Sequence, residues 1–261
     1  MQAIAQVDGI GMAYCTFGEG PRPFVILPGL SIKSVVAQEA SLAQGFAQFA
    51  RDFTVYVFDR RSNLPEVYPL EAMAEDTARV MANLGIASAC VFGASQGGML
   101  AQLIAISHPE LVSRMVLGST TSRGADSAAA VVDSWETLAR QGRTEELART
   151  TAEYLYSPAT NAAYGEAIIA GMLPITDEEL RRFAILASGT PAFSCYEHLD
   201  GIAAKPFVIG CFGDRVVGWR ASVDIAERLG CPLYLYGREY GHSVYDEAPD
   251  YRSRIYDFFM A

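Results

Sequence analysis

Between residues 89 and 106 the chain runs ACVFGASQGGMLAQLIAI. The segment opens as a short, continuous apolar run, Ala89–Phe92, and closes as an apolar helical stretch, Met99–Ile106, that must stop ahead of Pro109 because the residue before a proline is pushed out of helical geometry. Between them stands Gly93-Ala94-Ser95-Gln96-Gly97, followed by Gly98. A strand that turns this abruptly into a helix crowds its own backbone, so the positions two before and two after the serine must be small. The serine is then held in a strained conformation with its hydroxyl above the sheet. The helix starting beside it directs its N-terminal dipole at the hydroxyl and at any negative charge that develops there.

Working outward, the same two patterns alternate along the chain. Apolar runs recur at Phe24–Leu27, Val55–Phe58, Met115–Leu117, Phe207–Phe212 and Leu233–Tyr236, rich in β-branched or aromatic residues and ending at Gly, Pro or Asp. Continuous runs of this length read as strands buried on both faces of a parallel sheet. Helical patterns lie between them: in Leu70–Leu84 the residues Leu70, Met73, Ala74, Val80, Met81 and Leu84 share one face, and Tyr251–Met260 forms an amphipathic helix at the end. Strands alternating with helices predict an α/β fold around a parallel sheet. Ala3–Val7 and Met12–Phe17 flank Asp8-Gly9 and predict an antiparallel hairpin at one edge. From Thr121 to Cys195 the rhythm breaks. Helical segments near Val131–Gln141, Glu145–Tyr156, Tyr164–Met172 and Asp177–Ser188 come with no strand, which predicts a helical insertion between two strands.

A serine hydroxyl is a weak nucleophile and needs a base. The chain has three histidines. His108 ends the helix that Ser95 opens, roughly 18 Å away at about 1.5 Å per residue, and reads as structural. His198 reads as a helix-end or surface residue. His242 follows the last strand run, on the side where ligands meet an open α/β sheet, and is the expected base. The carboxylate that orients it must come from the residues between the insertion and His242. Asp214 follows the run Phe207–Phe212 after one glycine; Asp200 precedes that strand and Asp224 lies inside the helical pattern Val217–Leu229. Asp214 is the expected acid. Two backbone N–H groups must face a developing oxyanion, and the expected donors are Gln96, directly after the serine, and Leu30, in the loop Pro28-Gly29-Leu30-Ser31.

Composition narrows the partners. Thirty acidic residues against twenty basic ones give a net charge of −10, and only Lys33 and Lys205 are lysines, so the basic footprint that nucleic acid or an anionic membrane needs is missing. No apolar run approaches the ~18 residues of a bilayer span, and the first residues lack the pattern of a secretory signal; a cytoplasmic protein is the expectation. Cys15, Cys90, Cys195, Cys211 and Cys231 are odd in number and lack C-x-x-C spacing, so neither a disulfide framework nor a metal site is expected.

Leu27-Pro28-Gly29-Leu30, Phe58-Asp59-Arg60-Arg61, the Gly93–Gly98 turn, His108-Pro109-Glu110, Val208–Asp214 and Gly241-His242-Ser243 together resemble the α/β-hydrolase superfamily over nearly the whole chain. The resemblance implies an eight-stranded, mostly parallel sheet flanked by helices, a core of residues 1–120 and 196–261, and a helical cap of residues 121–195. It implies a catalytic triad of Ser95, Asp214 and His242 that requires no cofactor and no metal. Many relatives carry His-Gly where this chain has Pro28-Gly29, which leaves Ser31 as an additional polar contact. The expected substrate is a small or medium, largely apolar carboxylic ester or lactone, with Trp135 and Tyr164 of the insertion as expected pocket residues. The same triad serves carbon–carbon bond hydrolases, acyltransferases and perhydrolases, and some ligand sensors keep the fold. Dehalogenases and epoxide hydrolases place an aspartate where this chain has Ser95.

Overall fold

The β-branched and aromatic runs pair into one eight-stranded sheet in a computed structural model, which describes residues 1–261 apart from the side chains of Asp126 and Ser127. The strands are β1 (Gln2–Val7), β2 (Ile10–Phe17), β3 (Arg22–Leu27), β4 (Phe53–Arg61), β5 (Ala89–Ala94), β6 (Val112–Gly118), β7 (Lys205–Cys211) and β8 (Leu233–Tyr236), in the order β1-β2-β4-β3-β5-β6-β7-β8. β3 to β8 pair in parallel, whereas β1 and β2 form the antiparallel hairpin at one edge. Its turn takes Asp8 and Gly9 to φ of 49° and 78°, a pair of left-handed residues that suits the twist of a tight hairpin.

Order along the sheet decides where a site can form. From β3 the chain passes to β4 on one side and returns to β5 on the other, so the loops leaving β3 and β5 diverge and open a crevice at the C-terminal ends of the strands. The loop Pro28-Gly29-Leu30-Ser31 and the Ser95 turn are those two loops. At the other end of the row, Cys211 of β7 pairs with Tyr236 of β8, which brings the loops carrying Asp214 and His242 side by side.

Helices α1 (Glu39–Gly45), α2 (Leu70–Asn83), α3 (Gln96–Ser107), α9 (Trp219–Leu229), α10 (Val244–Glu247) and α11 (Tyr251–Met260) belong to the sheet layer. One core lies beneath α2 and α3 around Leu27, Met73, Leu100 and Met115. The other lies beneath α1 and α11 around Phe24, Phe49, Phe92 and Phe259. Between β6 and β7 come α4 (Gly124–Ser127), α5 (Ala129–Arg140), α6 (Thr144–Leu155), α7 (Pro158–Met172) and α8 (Asp177–Ser188), with only the isolated bridge between Arg123 and Ser194 as β-structure. α8 is firmly started: the Thr176 hydroxyl accepts from the Glu179 N–H while the Glu179 carboxylate accepts from the Thr176 N–H. These helices have a core of their own, including Trp135, Leu147, Phe183 and Ala187, which reaches Val216 and Val217 of the loop after β7. Among the described residues no helix is long and apolar enough to cross a membrane.

Candidate active site

Ser95 has φ 51° and ψ −121°, a strained region for any residue with a Cβ, and immediately starts α3. The glycines around it are set by close approach. A Cβ on Gly97 would stand 1.9 Å from the Leu27 carbonyl oxygen, and one on Gly93 would stand 2.5 Å from that of Gly97. The turn is braced from outside as well: the Ser95 N–H donates to the Gly118 carbonyl (2.8 Å) and the Thr120 hydroxyl donates to the Ser95 carbonyl (2.6 Å).

Asp214 and His242 meet as the two loops suggest. His242 Nδ1 lies 2.9 Å from Asp214 Oδ2, and both side chains are almost wholly buried. The second carboxylate oxygen accepts from the N–H groups of Val216 (2.8 Å) and Val217 (3.0 Å), which fixes the plane of the acid. A carboxylate facing Nδ1 favours the tautomer with the proton there, leaving Nε2 as an acceptor. His242 Nε2 is buried and has no hydrogen-bond partner.

Ser95, His242, Gly29, Leu30 and Gln96 line one small cavity of about 30 Å³, with Met99, Val132, Trp135, Val216 and Val217 as its apolar wall. The structure thus places the two expected oxyanion residues and Trp135 beside the serine and the histidine. Ser31 lies instead in the wall of a second cavity of about 410 Å³, which shares Gly29, Leu30, Leu155 and Tyr245 with the first. Tyr164 is a correction: it is exposed on the outer side of α7 and lines neither of these cavities, because the part of α7 that borders the larger one carries Ala167, Ile168, Gly171 and Met172. The other histidines stay apart, with His108 bonded to Glu75 (2.8 Å) and His198 exposed; Asp200 is taken by Arg228 (2.6 Å).

Two residues behind the site escaped the sequence reading although their motif stood out. Arg60, buried at the end of β4, donates to the Pro28 carbonyl (2.8 Å) and to Gln96 Oε1 (3.2 Å). Burial lowers its guanidinium pKa to about 10, which still leaves it charged at neutral pH. The Gln96 amide in turn donates to the Leu186 carbonyl (2.8 Å) and the Thr190 hydroxyl (3.2 Å), tying α8 and the residues after it to the serine turn. Beside it, Asp59 accepts from Ser34 and pairs with Arg182 of α8. A charged pair next to a strand end reads in sequence as a solvated surface, and its only signal was the repeated Arg60-Arg61 after Asp59. Among the described residues no group of three His, Cys, Asp or Glu side chains is arranged to hold a metal ion.

Comparison with known proteins agrees with the architecture. A "Putative carbamate hydrolase RutD" of Pseudomonas savastanoi pv. phaseolicola is 27% identical over 84% of this chain and 88% of that protein. The 3-oxoadipate enol-lactonase 2 of Acinetobacter baylyi is 26% identical over 57% of this chain and 55% of its own length. Among solved structures, the enol-lactonase from Burkholderia xenovorans LB400 superposes with a TM-score of 0.84 at 20% identity, covering 99% of this chain and 100% of that one. The family model for the alpha/beta hydrolase fold matches residues 22–155, more than half of the sequence. On these grounds the chain belongs to the alpha/beta hydrolase family.

Proposed function

We propose that this member of a hydrolase family is a serine hydrolase that cleaves a small or medium, largely apolar carboxylic ester or lactone through an acyl-enzyme on Ser95. One observation carries the reading. His242 is held through Nδ1 by Asp214, while its other nitrogen is buried, unpartnered and in the cavity that Ser95 lines. A buried nitrogen acceptor without a partner costs stability, and a base for the Ser95 proton would use such a nitrogen.

In this mechanism His242 Nε2 takes the Ser95 proton as Oγ attacks the carbonyl carbon. The Asp214 carboxylate stabilises the imidazolium that forms. The backbone N–H groups of Gln96 and Leu30 receive the oxyanion, each worth about 3 kcal/mol in comparable sites. His242 then returns the proton to the departing alkoxide, and water attacks the acyl group by the same route in reverse order. Residues 121–195 act as a cap on the core formed by residues 1–120 and 196–261, closing the site from above. The activities named for the relatives, carbamate hydrolase and enol-lactonase, both break a bond at an acyl carbon, the electrophile this mechanism requires.

The test is active-site labelling. An alkyl fluorophosphonate is expected to modify the protein once, on Ser95, with loss of turnover on 4-nitrophenyl acetate. Labelling that survives in Ser95→Ala removes Ser95 as the nucleophile, and single labelling without multiple turnover favours a ligand sensor.

A further inference from the structure

The 410 Å³ cavity beside the serine is a cleft partly open to solvent, and apolar side chains line most of it. Its apolar walls include Ile26, Val57 and Phe92 from the sheet, Phe46 at the end of α1, and the partly exposed Leu42 of α1 and Ile168 of α7. It lies on the α1/α11 side of the sheet and extends up to the insertion. It falls in the range of volumes that take whole small-molecule ligands. The 30 Å³ cavity around Ser95 and His242 has room for about one water-sized group. Only Gly29, Leu30, Leu155 and Tyr245 are common to the two.

Charge decides what the large cavity can hold. Its charged lining residues are neutralised in place: Lys33 is bonded to Glu179 (2.8 Å), and Arg252 to Asp246 (3.2 Å). Arg252 keeps one unpartnered N–H, at Nε, but both cations already face a carboxylate, so an anionic guest would add a charge that the lining does not neutralise. Tyr251, wholly buried, belongs to the same wall, and its hydroxyl has no hydrogen-bond partner, which leaves it for one neutral polar atom.

We infer that this chamber binds one long, uncharged, apolar arm of the substrate, while the group on the other side of the scissile carbonyl is small. The inference rests on the serine hydrolase reading and sharpens it. The preferred substrate is an asymmetric ester with one substituent of about acetyl or methyl size and one medium-length apolar chain. An anionic acyl chain and a carbamate with no arm both fit the chamber poorly.

Binding separates this inference from the catalytic reading. In the Ser95→Ala protein, calorimetry with 1-octanol and with octanoate is expected to show the neutral alcohol binding at least tenfold more tightly. Leu42→Trp and Ile168→Trp, which fill the chamber at walls the Ser95 cavity does not share, are each expected to weaken octanol binding at least tenfold while far-ultraviolet circular dichroism stays that of the parent. Equal or tighter octanoate binding overturns the inference, and so does octanol binding unaffected by a folded filling variant. With active protein, two ester series then identify the arm, one of 4-nitrophenyl esters with acyl chains of two to ten carbons and one of acetates of alcohols of the same lengths. One series is expected to gain at least tenfold in kcat/KM by eight carbons, with the filling variants removing that gain and leaving the two-carbon ester within threefold. A flat response in both series overturns the inference even where Ser95 is labelled and short esters are cleaved. Absence of labelling and of all turnover strikes the catalytic reading and leaves the binding result to decide the chamber.

Discussion

Arg60 reaches Gln96: its guanidinium donates to the Gln96 side chain at 3.2 Å and, from the same nitrogen, to the Pro28 carbonyl at 2.8 Å. Pro28 opens the loop carrying Leu30, and Gln96 follows Ser95, so one buried cation spans both sides of the expected oxyanion site. Its burial is costly, as its lowered pKa reflects, and a cation kept there points to a geometric task. For Arg60→Met, about 1 kcal/mol of stability is expected to be lost in urea titrations, because relief of the buried charge offsets part of the two lost hydrogen bonds. Turnover is expected to fall at least tenfold through kcat, with KM nearly unchanged. Unchanged kcat in a folded variant removes the positioning role.

Ser95 pays for its orientation in backbone strain. With φ 51° and ψ −121° it sits where a residue with a Cβ costs about 1–3 kcal/mol. Glycine adopts that conformation freely but loses about 0.5–1 kcal/mol more entropy on folding. Ser95→Gly is thus expected to abolish ester turnover and to be about 1 kcal/mol more stable than Ser95→Ala by urea midpoint. Equal midpoints mean the strain is absent in solution.

How much of this was legible beforehand follows from what each residue shows to a pattern. The strands were readable because Val, Ile and Phe runs buried on both faces leave no other period, and the Ser95 turn because its glycines are forced by contacts under 3 Å. Helix α1 was missed: Glu39–Gly45 is short and has no side-chain cap. Tyr164 was misplaced because α7 carries alanine and isoleucine around much of its circumference, so the pattern does not say which face turns inward. Arg60 looked like a surface charge. The large chamber had no signal at all, since it is a space bounded by residues as distant in sequence as Ile26 and Tyr251.

Asp214 has two tasks that a substitution can separate. One oxygen faces His242; the other holds the Val216 and Val217 N–H groups. Asp214→Asn keeps an oxygen for the loop but turns an NH2 toward Nδ1, which forces the wrong imidazole tautomer; kcat is expected to fall about 10³–10⁴-fold with the urea midpoint near wild type. Asp214→Ala is expected to lose the same activity and also about 1–3 kcal/mol, since the loop N–H groups are left unpaired. Equal stability of the two variants removes the loop-holding role.

Glu75 gives a pH-dependent contribution of known sign. Its carboxyl is held below the ordinary carboxylate range, first by its hydrogen bond to His108 and then by Arg79. A folded-state pKa below the unfolded one stabilises the protein above the unfolded value, near 4.3, and that stability is lost as pH falls through the folded value. The Glu75 side chain is 41% exposed, so solvent screening keeps the effect below about 1 kcal/mol. Glu75→Gln is expected to lower the urea midpoint slightly at pH 7, with the gap to wild type narrowing as the carboxyl is protonated in acid. A gap of equal size at neutral and acid pH removes the carboxylate as its source.

Trp135 bounds the small cavity from the insertion side, packed edge-on against Tyr154 at 6.3 Å between ring centroids and buried with an unpartnered Nε1. Removing it has a structural and a functional consequence. Trp135→Ala is expected to cost about 3–5 kcal/mol, the usual range for emptying an aromatic site in a core. The space it vacates adjoins the small cavity that Ser95 lines and not the large chamber, so it enlarges the side proposed for the substrate's small group. Esters with a bulky group on both sides of the carbonyl are therefore expected to gain kcat/KM relative to those with one small group, while fluorophosphonate labelling of Ser95 continues. If Trp135→Ala stays folded and discriminates against the doubly bulky esters as strongly as wild type, the residue is packing for the insertion alone and the small side of the site is bounded by something else.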